Sequence, residues 1–138
     1  MLQLGIMQGR LLPPIDGNIQ VFPTDMWEKE FLLAQDCRLS HIEWIFDVAS
    51  HDNNPLLSKE GLKKISFLQD LTGITVFAVC IDYFRDYPIF RIDNSIFVKR
   101  LDLLSRLARS CNEIGTKYIM IPFVDNSAIR GEKEFNEV

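Results

Sequence analysis

The chain has 138 residues, 47% of them hydrophobic and 25% charged, and a formal charge of −4 at pH 7. Such a length and composition suit one globular domain around a single core and argue against a disordered chain. The acidic balance, without any run of Lys or Arg, weighs against nucleic acid and anionic lipid as partners, and no window approaches the roughly 20 apolar residues of a membrane span.

Taken in order, the first apolar run is Leu4 to Met7, a buried-strand signal. A helix is expected from Asp25, whose carboxylate and that of Glu28 form a capping-box pattern, with Trp27, Phe31 and Ala34 on one face. The second strand is expected at Ile42 to Phe46. The next helix starts near Ser58, turns Leu62, Ile65 and Leu68 inward, and stops at Gly73 in a left-handed C′ conformation. The third strand is expected at Val76 to Ile81. After Asp93-Asn94-Ser95 comes a helix with an inward stripe of Phe97, Leu101, Leu104, Ala108 and Cys111 and a charged outer face including Lys99, Arg100, Asp102, Arg106 and Arg109, closed by Gly115. A fourth strand at Tyr118 to Phe123 follows, and Glu132 to Val138 reads as the opening of a fourth helix.

Successive strands start 34 to 42 positions apart, which suits parallel strands joined by crossover helices. The expected fold class is α/β, about four parallel strand-helix units forming part of a (β/α)₈ TIM barrel. A complete barrel of that kind has about 250 residues, so residues 1–138 are expected to be a single domain equal to its N-terminal half, ending near the start of the fourth helix. The rival is an open doubly wound sheet. Its phosphate-binding signatures are missing, because Gly5-Ile6-Met7-Gln8-Gly9-Arg10 is neither a GxGxxG turn nor a P-loop.

In parallel α/β folds the site forms at the C-terminal ends of the strands. The polar residues there are Gln8 and Arg10 after the first strand, and Glu43 and Asp47 in and after the second. After the third come Asp82, Tyr83 and Arg85, and after the fourth Asp125 and Asn126. Alternation sends Ile42, Trp44 and Phe46 to the helix layer and Glu43, Ile45 and Asp47 to the interior of the barrel. In the third strand Phe77, Val79 and Ile81 are the bulky set, leaving Ala78, Cys80 and Asp82 inside. Glu43 and Asp82 are the candidate catalytic carboxylates; the bland alternatives are an ion pair between Glu43 and Arg10 and a helix cap at Asp82. Gln8, Arg10, Tyr83 and Arg85 are candidate substrate-binding residues, the two arginines by bidentate contacts to a phosphate or carboxylate. His41 is expected to be structural. His51 lacks a second ligand at a metal-site spacing, and no metal ligand set is assigned. Cys37, Cys80 and Cys111 fall in apolar periodic segments and are expected to be reduced core thiols of a cytoplasmic protein.

Gly5-Ile6-Met7-Gln8-Gly9-Arg10-Leu11, His41-Ile42-Glu43-Trp44, Asn54-Pro55-Leu56-Leu57-Ser58 and Val79-Cys80-Ile81-Asp82-Tyr83-Phe84, in this order and spacing, resemble the N-terminal half of sugar phosphate isomerase/epimerase proteins of the xylose isomerase-like barrel superfamily. The resemblance runs from Leu4 to about Asn126. It implies proton transfer next to a sugar carbonyl, with carboxylates as acid and base and a divalent metal (Mn, Mg, Co or Zn) polarising the oxygens in the complete fold. The metal ligands of that family come mainly from later strands. The chain alone is therefore expected to bind no metal and to lack the activity, needing a complementary half-barrel or a second copy. The alternative is a non-catalytic half-barrel module that self-associates or binds a small carbohydrate. An abasic-site endonuclease of the same superfamily is disfavoured by the acidic balance.

Overall fold

The computed structural model describes residues 3–136. It is a mixed α/β fold whose strands are β1 (Gly5–Met7), β2 (His41–Ile45), β3 (Thr75–Cys80) and β4 (Tyr118–Met120). They form one parallel sheet in sequence order, β1-β2-β3-β4. The helices are α1 (Trp27–Asp36), α2 (Lys59–Thr72), α3 (Tyr83–Asp86), α4 (Asn94–Glu113) and α5 (Glu132–Phe135). Short 3₁₀ turns at Pro55–Leu57 and Asp125–Ser127 complete the connections. The end of the expected fourth helix, at residues 137–138, lies outside the described residues.

One face of the sheet carries the core. Ile42, Trp44 and Phe46 from the second strand region, and Val76, Val79 and Ile81 from the third, are buried with Trp27, Phe31 and Ala34 of α1 and Leu62, Ile65 and Leu68 of α2. Trp44 is the centre of an aromatic cluster, with ring centroids 5.3 Å from both Phe22 and Trp27. Ser58 caps α2, its hydroxyl accepting from the Gly61 amide at 3.0 Å, and Gly73 ends it in the left-handed region at φ 73°.

Several expectations are corrected. The Asp25–Glu28 capping box does not form: α1 starts at Trp27 after Met26, without a side-chain cap, and Glu28 pairs with Lys64 of α2. In β3 the register slips by one residue between Val76 and Ala78, because Ile42 pairs with Val76 while Glu43 pairs with Ala78. Phe77 is the extra residue of this bulge. It therefore leaves the helix-facing set and lies 37% exposed on the open face, its ring 4.9 Å from His41 and 5.3 Å from Tyr118. Helix α4 is rotated relative to the expected stripe: Leu107, Ser110 and Cys111 are buried, whereas Phe97, Leu101 and Ala108 are exposed. Two apolar sides of one helix compete for the core, and periodicity alone does not choose between them. Cys37 is exposed at the end of α1, unlike the buried Cys80 and Cys111. Asp47 does not point along the open face. Its Oδ2 accepts from the Phe22 amide at 2.8 Å, and its Oδ1 from the Ser50 amide at 2.8 Å and hydroxyl at 2.6 Å, so it fixes two loops.

Candidate active site

Register brings the candidate carboxylates to one face. Met7 pairs with Glu43 and Glu43 with Ala78, so β1, β2 and β3 present these positions side by side. Two residues further along, Ile45 pairs with Cys80, and Asp82 follows on the same side of the chain. Glu43 lines a cavity of about 180 Å³ with Gly5, Met7, His41, Phe77 and Ala78. Its Oε1 is buried and accepts no hydrogen bond. Burial, and secondly the charge of Asp82, raise the Glu43 pKa above the ordinary carboxylate value.

The ion pair between Glu43 and Arg10 does not form. Arg10 is exposed and donates from Nη2 to Gln20 Oε1 at 3.4 Å; Gln20 in turn donates from Nε2 to Asp82 Oδ2 at 3.4 Å. The long connection between β1 and α1 thus folds across the sheet end and ties the first strand-end loop to the third. Asp82 is buried at 5% exposure and receives the Cys80 thiol on Oδ1 at 3.4 Å. It stands at the N-terminus of α3 without capping it, so the bland reading of Asp82 as a cap is not what holds it there. Burial, reinforced by Asp82, pushes the Cys80 thiol up to about 12, which leaves it an uncharged donor at neutral pH.

Arg85 lies over a wider cavity of about 490 Å³, formed with Gly17 to Val21. Its guanidinium is 3.4 Å from Asp86 and 3.7 Å from Asp125. Tyr83 turns away from the carboxylates into an aromatic group, its ring 6.0 Å from Phe46, 5.4 Å from His51 and 4.9 Å from Tyr87. His51 is held by the Val48 carbonyl at 2.8 Å. His41 lies at the N-terminal end of β2, with its Nδ1 2.9 Å from the Ser40 hydroxyl.

Gln8 stands apart from the other candidates, since it is fully buried. Its backbone amide donates to the Glu43 carbonyl at 2.9 Å and its side-chain Oε1 accepts the Ile45 amide at 3.1 Å, so the side chain continues the β1–β2 ladder past the end of the strand. Two participants were not expected from the sequence. Gln20 sits in a loop without any local pattern. Glu30 carried a legible signal: Trp27, Glu30, Phe31 and Ala34 follow the spacing of one helix face, and Glu30 is buried with the other three. Its Oε1 accepts the Gly9 amide at 2.6 Å.

Among the described residues no group of three or more His, Cys, Asp or Glu side chains is arranged to hold a metal ion. Glu43 and Asp82 supply two carboxylates and do not by themselves make a ligand set. No described helix is long and apolar enough to cross a membrane. In comparisons with known proteins, the chain matches no family model and no curated protein.

Proposed function

We propose that the chain forms the substrate side of a sugar or sugar-phosphate isomerase or epimerase built on a (β/α)₈ barrel, of which the four-stranded parallel sheet is one half. The observation that carries this reading is the buried, unpartnered Oε1 of Glu43, on the same sheet face as Asp82 and raised in pKa by burial and by that neighbour. A raised pKa makes the carboxylate a stronger base toward a carbon next to a carbonyl and lets it hold the proton until it is returned. Glu43 takes the proton in this scheme, and Asp82 keeps the neighbouring negative charge that tunes it. Gln20, Arg10 and Arg85 orient hydroxyl or phosphate oxygens at the rim. The divalent metal implied by the family resemblance would need ligands that these residues do not supply, so no step here depends on it. Free thiols at three positions accord with a cytoplasmic setting.

The test has two parts. Titration of the 138-residue chain with ketoses and their phosphates, followed by amide chemical shifts, is expected to perturb Glu43, Ala78, Asp82 and Arg85 together. In a barrel completed by further strand-helix units, deuterium from solvent should enter the carbon beside the carbonyl, and Glu43→Gln should stop it. Shifts confined to other regions, or exchange undiminished by Glu43→Gln, would overturn the assignment.

A second reading, a non-catalytic module that self-associates or binds a small carbohydrate, is favoured by the open sheet face. Phe77, Tyr118 and Met120 are 37%, 63% and 48% exposed there. Sugar binding that survives Glu43→Gln, in a completed barrel that never exchanges deuterium, would favour it.

A further inference from the structure

Glu30 is a carboxylic acid in the core, 1% exposed, on the inward face of α1. Every hydrogen-bonding group around it that bears on its titration is a donor. The Gly9 amide donates to Oε1 at 2.6 Å, and the Leu11 amide and the Gln8 side-chain amide also favour its ionised form. The last of these contacts is incomplete, because Glu30 Oε2 and Gln8 Nε2 are both buried and neither has a hydrogen-bond partner at bonding distance. Two orphaned groups in one buried site are costly unless a change of state satisfies them.

The backbone they hold has little room to adjust. Gly9 has φ +85°, and a Cβ there would meet the Val21 carbonyl oxygen at 2.7 Å. Gln8 is committed at its other end, with Oε1 on the Ile45 amide. When Glu30 is ionised, Gln8 Nε2 can close on Oε2 without disturbing that bond. When Glu30 is protonated at Oε2, its hydroxyl faces an amide NH₂, donor against donor. Satisfying the proton then requires the Gln8 amide to turn over, which takes Oε1 away from Ile45.

We propose that Glu30 is a protonation switch for the Gln8–Leu11 segment: ionised, it clamps the segment to α1, and protonated, it releases the Gln8 amide from the end of β2. Arg10 lies within the segment, so the switch sets how firmly Arg10 is presented to Gln20 and Asp82. The switch does not depend on the reaction proposed above. Burial raises the Glu30 pKa to about 7 against the three donors that lower it, which puts the transition in the physiological range.

No other charge governs it. On α1, Glu28 is taken by Lys64 and Lys29 lies 3.7 Å from the Met26 sulfur. On the strand-end loop Arg10 is exposed and engaged by Gln20. From the β2 side, Glu43 is on the opposite face of the sheet and Asp47 is engaged by Phe22 and Ser50. From α2, Lys64 is taken up by Glu28, and none of these charges shifts Glu30.

The test is a pH titration of the full chain by nuclear magnetic resonance, reading the Glu30 side-chain carboxyl carbon and the Gly9, Leu11 and Ile45 amides. All four are expected to move with one midpoint near 7. In Glu30→Gln the amide transitions should vanish. A carboxyl midpoint with the exposed glutamates, near 4.3, would overturn the proposal. So would amides that stay still while the carboxyl titrates, or that titrate unchanged in Glu30→Gln. Should Glu30→Gln not fold, the wild-type carboxyl and amide midpoints decide the matter without it.

Discussion

Asn54 holds Trp44 by its indole: Nε1 donates to Asn54 Oδ1 at 3.1 Å, deep under the aromatic cluster that covers the second strand. The same amide donates from Nδ2 to the Ile45 carbonyl at 3.1 Å, and Oδ1 also takes the Leu56 amide at 3.3 Å. One buried side chain thus satisfies the strand end, the indole and the start of the 3₁₀ turn.

Asn54→Ala should therefore leave several buried polar groups without partners, each worth about 1–3 kcal/mol. The expected loss of unfolding free energy is about 3 kcal/mol, read from urea denaturation of the variant beside the parent. A loss below about 0.5 kcal/mol would mean that water takes over these bonds.

Gly61→Ala should also destabilise, although alanine is the better helix former by about 1 kcal/mol in a helix interior. A Cβ at this position would overlap the Pro55 backbone, since the first turn of α2 lies directly on the preceding 3₁₀ turn. A fall in melting temperature is expected. An increase would show that the turn can move aside.

Stability should depend on pH through Glu30. Its folded pKa is near 7 and its unfolded value near 4.5, so between those limits the folded chain holds a proton that the unfolded chain has lost. The contribution is fully present below about 4.5, declines as pH rises, and is gone above about 7, a change of about 3 kcal/mol. Denaturant midpoints measured across this range should fall toward neutrality in the parent and flatten in Glu30→Gln. A parent as steady as the variant would contradict the assignment.

Glu43→Gln should behave differently, leaving stability unchanged or raised by up to about 1 kcal/mol. The charge it removes is partly buried, repelled by Asp82 and free of any ion pair among the described residues. In a completed barrel the same change should lower turnover by about 10²-fold or more, as loss of a proton-transfer group does. Strong destabilisation with normal turnover would make Glu43 structural.

The chain alone should associate. β1 and β4 each leave one edge unpaired in the described sheet, and Phe77, Tyr118 and Met120 face outward between them. Sedimentation at micromolar concentration should show species larger than a monomer, reduced by Tyr118→Lys. A well-folded monomer throughout would remove this expectation.

The strands were legible because short β-branched and aromatic runs recurred at crossover spacing, and each observed strand begins within one residue of its expected start. The second helix was legible to its ends, since Ser58 and Gly73 act locally. What escaped depended on tertiary contacts. Helix α4 has two apolar sides, and only packing selects Leu107 over Ala108. Tyr83–Asp86 is a single helical turn too short to show periodicity. The placing of Glu43 and Asp82 on one face followed from setting them opposite the bulky residues of the second and third strands, while Gln20 reaches Asp82 from 62 positions away with no local trace.

The bulge at Phe77 also gives β3 an unusual tolerance. In a strand every residue sets the side taken by all those after it, so losing one normally exchanges the covered and uncovered sides downstream. Phe77 and Ala78 occupy the same side, and together they oppose a single step of β2. Removing Phe77 would therefore restore plain pairing with Val76 on Ile42 and Ala78 on Glu43, and Cys80 and Asp82 would keep their orientation. Removing Val79 instead would turn Cys80 and Asp82 toward the helices. Position 77 is thus the place in β3 where evolution or an engineer can shorten the chain by one residue without inverting the carboxylate that follows.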